Sequence, residues 1–323
     1  MAKKKRKQKK NPVRLGSIVV VGIALLASIC IHQLTSSTQL PPQAKEAIEV
    51  ATKKMEELKD ATKEMAKDIT KEYTTEKTKE SSSHPTAKPS QSNTLKKGIE
   101  IPISQTDDTR ILSRTGFTIS YHDTWKMPQW VAWYLTTERV EGKEKRTDDF
   151  LTDPDLPTQV LSEDSDYRNS RYDRGHMAPA GDMKWNEQAM MESFYMSNIC
   201  PQAPNLNRGD WRILEENCRK WAQEHQTPLY IVCGPLVESE KKHKRIGKNK
   251  VTVPDGFFKV VLKLGDEPAA VGFLFPNDDC DEKLAEYAVS VDSVEKVTGF
   301  DFFHLLPDKQ EKKLEAIIGF DKF

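Results

Sequence analysis

The chain has 323 residues, is 37% hydrophobic with a mean hydropathy of −0.66, and balances 49 Lys/Arg against 49 Asp/Glu. That length accommodates a sizeable core with accessory segments, whereas the low hydropathy excludes a polytopic membrane protein and requires a polar stretch that dilutes a normal domain. Five cysteines without a Cys-x-x-Cys pair make neither a disulfide scaffold nor a structural zinc site, and a net charge of zero argues, at face value, against a general binder of nucleic acid or anionic membrane.

Residues 1–14 are a basic segment, MAKKKRKQKK and then NPVR, followed by an apolar run over 15–31, LGSIVVVGIALLASICI. As a helix the run spans about 25 Å, slightly under the roughly 30 Å hydrocarbon core, and snorkelling basic flanks cover the difference. A basic stretch before an apolar one is a signal sequence or an uncleaved signal anchor. No small-x-small cleavage site follows, and Ile29 before Cys30 spoils a lipoprotein box. The expectation is therefore a transmembrane signal anchor with its basic end in the cytoplasm and the remainder exported to the periplasmic or extracellular side; secretion after cleavage is the alternative. The apolar neighbour outweighs a nuclear-localisation reading of KKKRK.

Residues 32–80 read as a helical stalk. Ile48, Ala51, Met55, Leu58, Thr62, Met65 and Ile69 step by three and four, an a/d pattern over about three heptads. Two outcomes stay open: a short coiled coil pairing two copies into a homodimer, or a solvated helical tether. Residues 81–94, SSSHPTAKPSQSNT, form a Ser/Pro linker, so a domain begins near Leu95.

All six tryptophans lie in 95–323. The runs at 130–135, 228–236, 257–264 and 269–276 have the length and the β-branched or aromatic content of strands. Helices are expected over 186–197, over 210–225, where Trp211, Leu214, Cys218, Trp221 and His225 share a face, and over 291–299, closed by Gly299. Strands and helices mix without βαβ alternation, so the class is α+β.

Chemistry concentrates between Tyr167 and Glu215. His176 follows Asp173, Arg174 and Gly175 at the end of a strand, where a histidine can approach a substrate as a general base. Asn198, Gln202, Asn205 and Asn207 cluster without an evident structural task. A hard cation such as Mg²⁺ takes oxygen ligands and keeps several waters, so one Asn carbonyl suffices where substrate phosphate supplies the rest. Glu215 can hold those waters, and Arg146 and Arg174 can meet phosphate oxygens as charge builds. Such a site suits attack of water on a phosphodiester. Each residue also has a plainer role: Asn207 as an N-cap, Asp173 as a turn residue, Arg146 as surface charge. The Arg208-Gly209-Asp210 tripeptide carries no adhesive reading inside this turn.

The combination resembles the DNA/RNA non-specific endonuclease family, the ββα-metal nucleases whose members include endonuclease G. The signature is Asp173-Arg174-Gly175-His176, then about thirty residues on Asn207…Trp211…Glu215. FYMSNICPQ (194–202), PQWVAWYLT (128–136), RTDDF (146–150) and VDSVEKVTGFDFFHLLP (291–307) match further family blocks, so the resemblance covers nearly all of 95–323. It implies a central antiparallel sheet flanked by helices, with a ββα element carrying the metal. It also implies cleavage of DNA and RNA to 5′-phosphate ends. At matching positions it implies His176 as general base, Asn207 as the direct protein ligand of Mg²⁺ (Mn²⁺ being a substitute) and Glu215 as the group orienting waters around the ion. Arg174 and Arg146 would stabilise the transition state, with Arg139 the alternative to Arg146. Asp173, Asn198, Gln202 and Arg208 would shape the site. Met177 stands where the family commonly has Leu, and Arg208 where Gln is frequent.

The zero net charge is a cancellation. Residues 1–94 hold 18 Lys/Arg against 10 Asp/Glu, leaving 31 against 39 in 95–323. A net-acidic domain must attract nucleic acid through a local field, for which KKHKRIGKNK (241–250) is the dense basic patch. Two other functions fit parts of the chain: a non-catalytic surface module that captures nucleic acid, and an envelope protein built around anchor and stalk. The presence of His176, Asn207 and Glu215 together favours the enzyme. Cys218 and Cys233 fall on apolar faces as small core residues, and no disulfide is expected.

Overall fold

Seven strands form one antiparallel sheet: β1 (Thr109–Ser113), β2 (Thr118–His122), β3 (Met127–Leu135), β6 (Leu229–Leu236), β9 (Gly256–Lys263), β10 (Ala269–Pro276) and β11 (Ala288–Val289). They lie side by side in the order β1-β2-β3-β6-β9-β10-β11. β4 (Asp173–His176) pairs with β5 (Ile199–Gln202), and β7 (Arg245–Ile246) with β8 (Val251–Thr252), as separate two-stranded ribbons. The helices are α1 (Thr137–Val140), α2 (Asp164–Tyr167), α3 (Glu187–Ser193), α4 (Pro204–Arg208), α5 (Asp210–His225), α6 (Val291–Thr298) and α7 (Asp308–Glu315). This computed structural model describes residues 97–104, 109–238, 241–280 and 282–323. The basic segment, apolar run, stalk and linker expected over 1–94 lie outside the described residues. Among the described residues no helix is long and apolar enough to cross a membrane.

The central strands β3, β6, β9 and β10 are buried on both faces, which is why they read as unbroken apolar runs rather than as alternating ones. Val131, Trp133 and Leu135 of β3, Ile231 and Cys233 of β6, and Phe257 and Val261 of β9 meet Trp211, Leu214, Cys218 and Trp221 of α5 on one face. Trp130 and Ala132, Tyr230 and Val232, and Phe258, Val260 and Leu262 turn to the other face. There they meet Val291 and Val294 of α6, Phe300, Phe302 and Phe303 just beyond it, and Leu314 of α7. Period-two alternation of side chains thus assigns each strand residue to one of two cores.

The expected strands at 228–236, 257–264 and 269–276 appear within one residue of their limits, the one at 130–135 begins three residues earlier at Met127, and α5 matches 210–225. Gly299 closes α6 in the left-handed region, at φ 73°, where glycine has no Cβ to clash. The helix expected over 186–197 is shorter. Asn186 caps α3 by accepting from the Ala189 N–H, but the helix ends at Ser193, whose carbonyl accepts from Asn198 Nδ2 at 2.8 Å. Leu151 then pairs with the departing chain, donating to Phe194 O and accepting from Met196 N, which draws 194–196 out of helical geometry. The hairpin β1–β2 was not signalled by its short, mixed sequence; packing of Ile119 and Tyr121 on β3 supports it. Among the described residues Cys200, Cys218, Cys233 and Cys280 form no disulfide, and the first three are buried.

Candidate active site

β4 carries Asp-Arg-Gly-His, and its ladder with β5 sets Asp173 opposite Gln202, Gly175 opposite Cys200 and His176 opposite Ile199. With α5 following, these strands form a ββα unit beside the main sheet. Gly175 is required by close approach: a Cβ there would lie 2.2 Å from Gln202 Oε1 and 2.6 Å from Gln202 Cβ. Gln202 itself is fully buried, with neither amide atom hydrogen-bonded.

The loop leaving β4 is locked by Asn198. Its Oδ1 accepts from Ala178 N at 2.9 Å, and its Nδ2 donates to Ala178 O and Ser193 O, both at 2.8 Å. Trp211 Nε1 donates to His176 O at 3.3 Å, tying the strand end to α5. The imidazole stands edge-on to Phe194, centroids 4.9 Å apart, and tilted against Phe150 at 5.4 Å. Its Nε2 is buried without a protein partner. Burial, reinforced by the charge of Arg146, pushes the His176 pKa down to about 3, so the ring is neutral near pH 7 and has a lone pair for a proton.

Asp173 organises the other side. Its Oδ2 accepts from Asn207 Nδ2 at 3.0 Å, and Arg208 bridges both carboxylate oxygens at 2.7 Å each. Burial would raise this carboxyl, but the bonds from Arg208 and Asn207 and the nearby Arg174 charge outweigh it and hold it below the usual range. With its Nδ2 committed to Asp173, the Asn207 side chain has Oδ1 left for a cation. The N-cap of α5 is Gly209, and Asn207 lies inside α4; the plainer reading of Asn207 as a cap therefore fails, as does that of Asp173 as a turn residue.

A cavity of about 410 Å³ brings Arg146, Arg174, Asp173 and Asn207 together, walled by Phe150, Tyr167 and Tyr172. Arg174 lies over the Phe150 ring at 4.3 Å and pairs with Asp164; Arg146 lies over the Phe194 ring at 5.0 Å and pairs with Asp148. Each guanidinium is thus parked on a ring that also touches His176. Arg139 is elsewhere: it is sandwiched between Tyr134 at 3.7 Å and Trp185 at 4.2 Å and donates to the Gly116 and Tyr134 carbonyls. The geometry brings Arg146, not Arg139, to the cavity.

Glu215 is half-buried on α5 and is not among the residues lining the cavity. Burial pushes its carboxyl up to about 7, against the opposing charges of Lys259 and Arg219. Around it runs a buried charged network that sequence reasoning missed. Asp182 accepts from Arg219 at 2.8 Å and from Trp133 Nε1 at 3.0 Å, and the buried Lys259 ammonium sits 4.2 Å from the Trp211 ring centroid. The available signal was Lys259 inside the apolar run FFKVVLKL, which also carries Lys263, since a charge in a doubly buried strand needs partners. Phe150 and Phe194, which fix the imidazole and both arginines, were also not singled out.

The basic stretch 241–250 contains β7 and the turn that leads into β8. Asp166 fixes its turn by accepting from Asn249 N and Nδ2 at 2.9 and 2.8 Å, and Lys244 lies 4.8 Å from the ring centroid of Tyr172, a cavity wall.

The family model for DNA/RNA non-specific endonucleases matches residues 92–309. The chain belongs to that family. Within it, the chain is 38% identical over 211 residues to the mitochondrial nuclease EXOG of Danio rerio, covering 61% of each. It is 33% identical over 206 residues to mitochondrial endonuclease G of Homo sapiens, covering 60% of this chain and 69% of that one. Nuclease C1 of Cunninghamella echinulata is 35% identical over 210 residues, with 60% and 83% covered. The chain spans 61% and 64% of the length of the EXOG nucleases of Danio rerio and Xenopus laevis. The crystal structure of an EndoG/EndoGI complex is similar with a TM-score of 0.58 and 31% identity, covering 62% of this chain and 88% of that chain.

The residues fit the metal this family implies. A pinned amide with its oxygen left over, the carboxylates of Asp148, Asp164 and Asp173, and no cysteine or histidine among the lining residues make the cavity an all-oxygen donor set, which selects a hard cation over zinc or copper.

Proposed function

We propose that the chain is a metal-dependent, sugar-non-specific endonuclease that hydrolyses DNA and RNA to 5′-phosphate ends. The observation that carries this reading is the convergence of Arg146, Arg174 and an Asp173-held Asn207 on one cavity, beside a neutral His176. Asn207 would hold Mg²⁺, or Mn²⁺ in its place, through its side-chain oxygen. When bound, the ion supplies Lewis-acid stabilisation of charge on the phosphate.

The chain's own residues do the rest. His176 takes a proton from water as its oxygen attacks phosphorus. The bond from phosphorus to the 3′-oxygen breaks and that oxygen takes a proton from solvent water, leaving a 3′-hydroxyl and a 5′-phosphate. Arg146 and Arg174 lie where they can leave Asp148 and Asp164 for the non-bridging oxygens as negative charge gathers there. Phe150 and Phe194 keep the imidazole desolvated and neutral. Contacts to phosphate position a strand without reading bases, which accounts for cleavage of either nucleic acid, and the β7–β8 ribbon beside Tyr172 gives the acidic domain a local attractive field.

The N-terminal sequence supports a tethered, exported enzyme: the basic segment 1–14 and apolar run 15–31 as the membrane partner, and the heptads as a stalk on which two copies can pair. N-terminal sequencing of the membrane fraction tests the tether; recovery of a chain starting beyond residue 31 contradicts it. The activity is tested by incubating the chain with plasmid and with RNA under Mg²⁺ and under EDTA. Cleavage of both only with the metal supports it; retention of DNA without cleavage under any divalent metal contradicts it.

A further inference from the structure

On the face of the sheet away from His176, Asp292 and Glu295 of α6 and Glu315 of α7 bring carboxylate oxygens within 4.8 Å of one another. Asp292 is exposed, Glu295 half-buried and Glu315 buried at 4% exposure. Glu315 Oε1 has no hydrogen-bond partner. Glu295 spends one oxygen on the Phe302 N–H, at 2.9 Å. Among the described residues, no Lys or Arg forms an ion pair with any of the three. The surrounding charge deepens the problem, since Asp301 and Glu311 also act on Glu295 and Glu315 as like charges. A buried carboxylate in company of its own sign needs a proton or a cation.

We propose that Asp292, Glu295 and Glu315 form a Ca²⁺ site that clamps α7 to α6 on the side of the sheet opposite the active site. The donor chemistry is that of a hard cation, three carboxylates with an exposed side for water. The three oxygens, all within 4.8 Å of one another, fit around a Ca²⁺ ion, whose shell of about 2.3–2.6 Å tolerates irregular ligand geometry, whereas Mg²⁺ demands a near-ideal octahedron. The clamp has a mechanical consequence. α6 and α7 bring Val291, Val294 and Leu314 onto the second core, so joining them through an ion holds the closing segment of the domain on β9 and β10.

The test is the full-length chain carrying Asn207→Ala, so that the active-site metal does not contribute, melted with and without Ca²⁺ and titrated with Tb³⁺. At about a hundredfold excess over Kd, Ca²⁺ should raise Tm by about 5–10 °C and sensitised Tb³⁺ emission should saturate. Adding Glu315→Gln should remove both responses. Asp292→Asn, at an exposed position that does not endanger folding, should weaken Ca²⁺ at least tenfold. A Tm indifferent to Ca²⁺ up to 10-millimolar concentrations overturns the proposal, as does an equal response in Glu315→Gln. A Tm that falls on raising the pH from 5 to 9 and ignores Ca²⁺ also overturns it, assigning a shared proton to the cluster instead.

Discussion

Asp173 holds Asn207: one carboxylate oxygen accepts from the Asn207 amide nitrogen at 3.0 Å, while both oxygens receive the Arg208 guanidinium. A β-strand residue thereby fixes which end of an amide on α4 is left for a cation. Asp173→Ala should free the amide to flip and release Arg208. Misplacement of about 1 Å in such a site costs about a hundredfold in rate. The expected result is a fall of that order in cleavage together with a raised half-saturating Mg²⁺ concentration. A rate loss at unchanged metal dependence would show that Asp173 acts otherwise.

The imidazole predicts a stability effect with a definite sign. The folded pKa of His176 is pushed to about 3, below the roughly 6.5 of an unfolded histidine. The unfolded chain therefore binds a proton that the folded chain refuses between those values. This contribution is fully present above pH 6.5 and is lost as pH falls toward 3. His176→Phe should show a shallower loss of unfolding free energy from pH 7 to 5 than the native chain. In ¹³C spectra the His176 ring should keep neutral shifts at pH 5.

The two arginines separate by kind of defect. Arg146→Ala should lower cleavage and leave Tm unchanged, since its side chain is half-exposed and its Asp148 partner is a surface ion pair. Arg139→Ala should lower stability by about 2–4 kcal/mol, through loss of a desolvated stack on two rings and of charged bonds to two carbonyls. Urea denaturation beside a cleavage assay on each variant checks the pair.

Gly175→Ala should destabilise the β4–β5 ribbon by about 1–3 kcal/mol, because its Cβ meets the buried Gln202 side chain. Displacement of the same strand should also cost activity. Gly175→Ala with Gln202→Ala should recover part of the stability, and measured melting of both variants checks it.

Neutralising Lys244, Lys248 and Lys250 should weaken substrate binding. It should also flatten the salt dependence of binding, by about one unit of slope for each phosphate that a lysine no longer neutralises. The rate at saturating substrate should stay largely intact.

The legible part of the fold was what local physics dictates. Doubly buried strands announce themselves as apolar runs, and α5 through a helical stripe ending at His225. Of the candidate cavity, the lining residues Asp173, Arg174 and Asn207 were legible because each lies in a motif read in one stretch, whereas Glu215, expected beside them, does not line it. Placements made by distant packing were not legible. Nothing local says that Phe150 and Phe194 enclose His176, that Lys259 in a strand lies over Trp211, or that Arg139 is held by Tyr134 and Trp185 while Arg146 reaches the cavity. α3 ends short of 197 because Leu151, remote in sequence, and Asn198, just beyond the expected end, take over its last hydrogen bonds.

The most direct measurement is the cleavage rate of His176→Ala on plasmid and RNA under Mg²⁺, with far-ultraviolet circular dichroism and Tm matched to the native chain. A general base is worth about 10²–10⁴ in rate. A loss of that size on both substrates, with Mg²⁺ binding retained, is the predicted result; native-like cleavage by a folded His176→Ala would contradict the proposed chemistry.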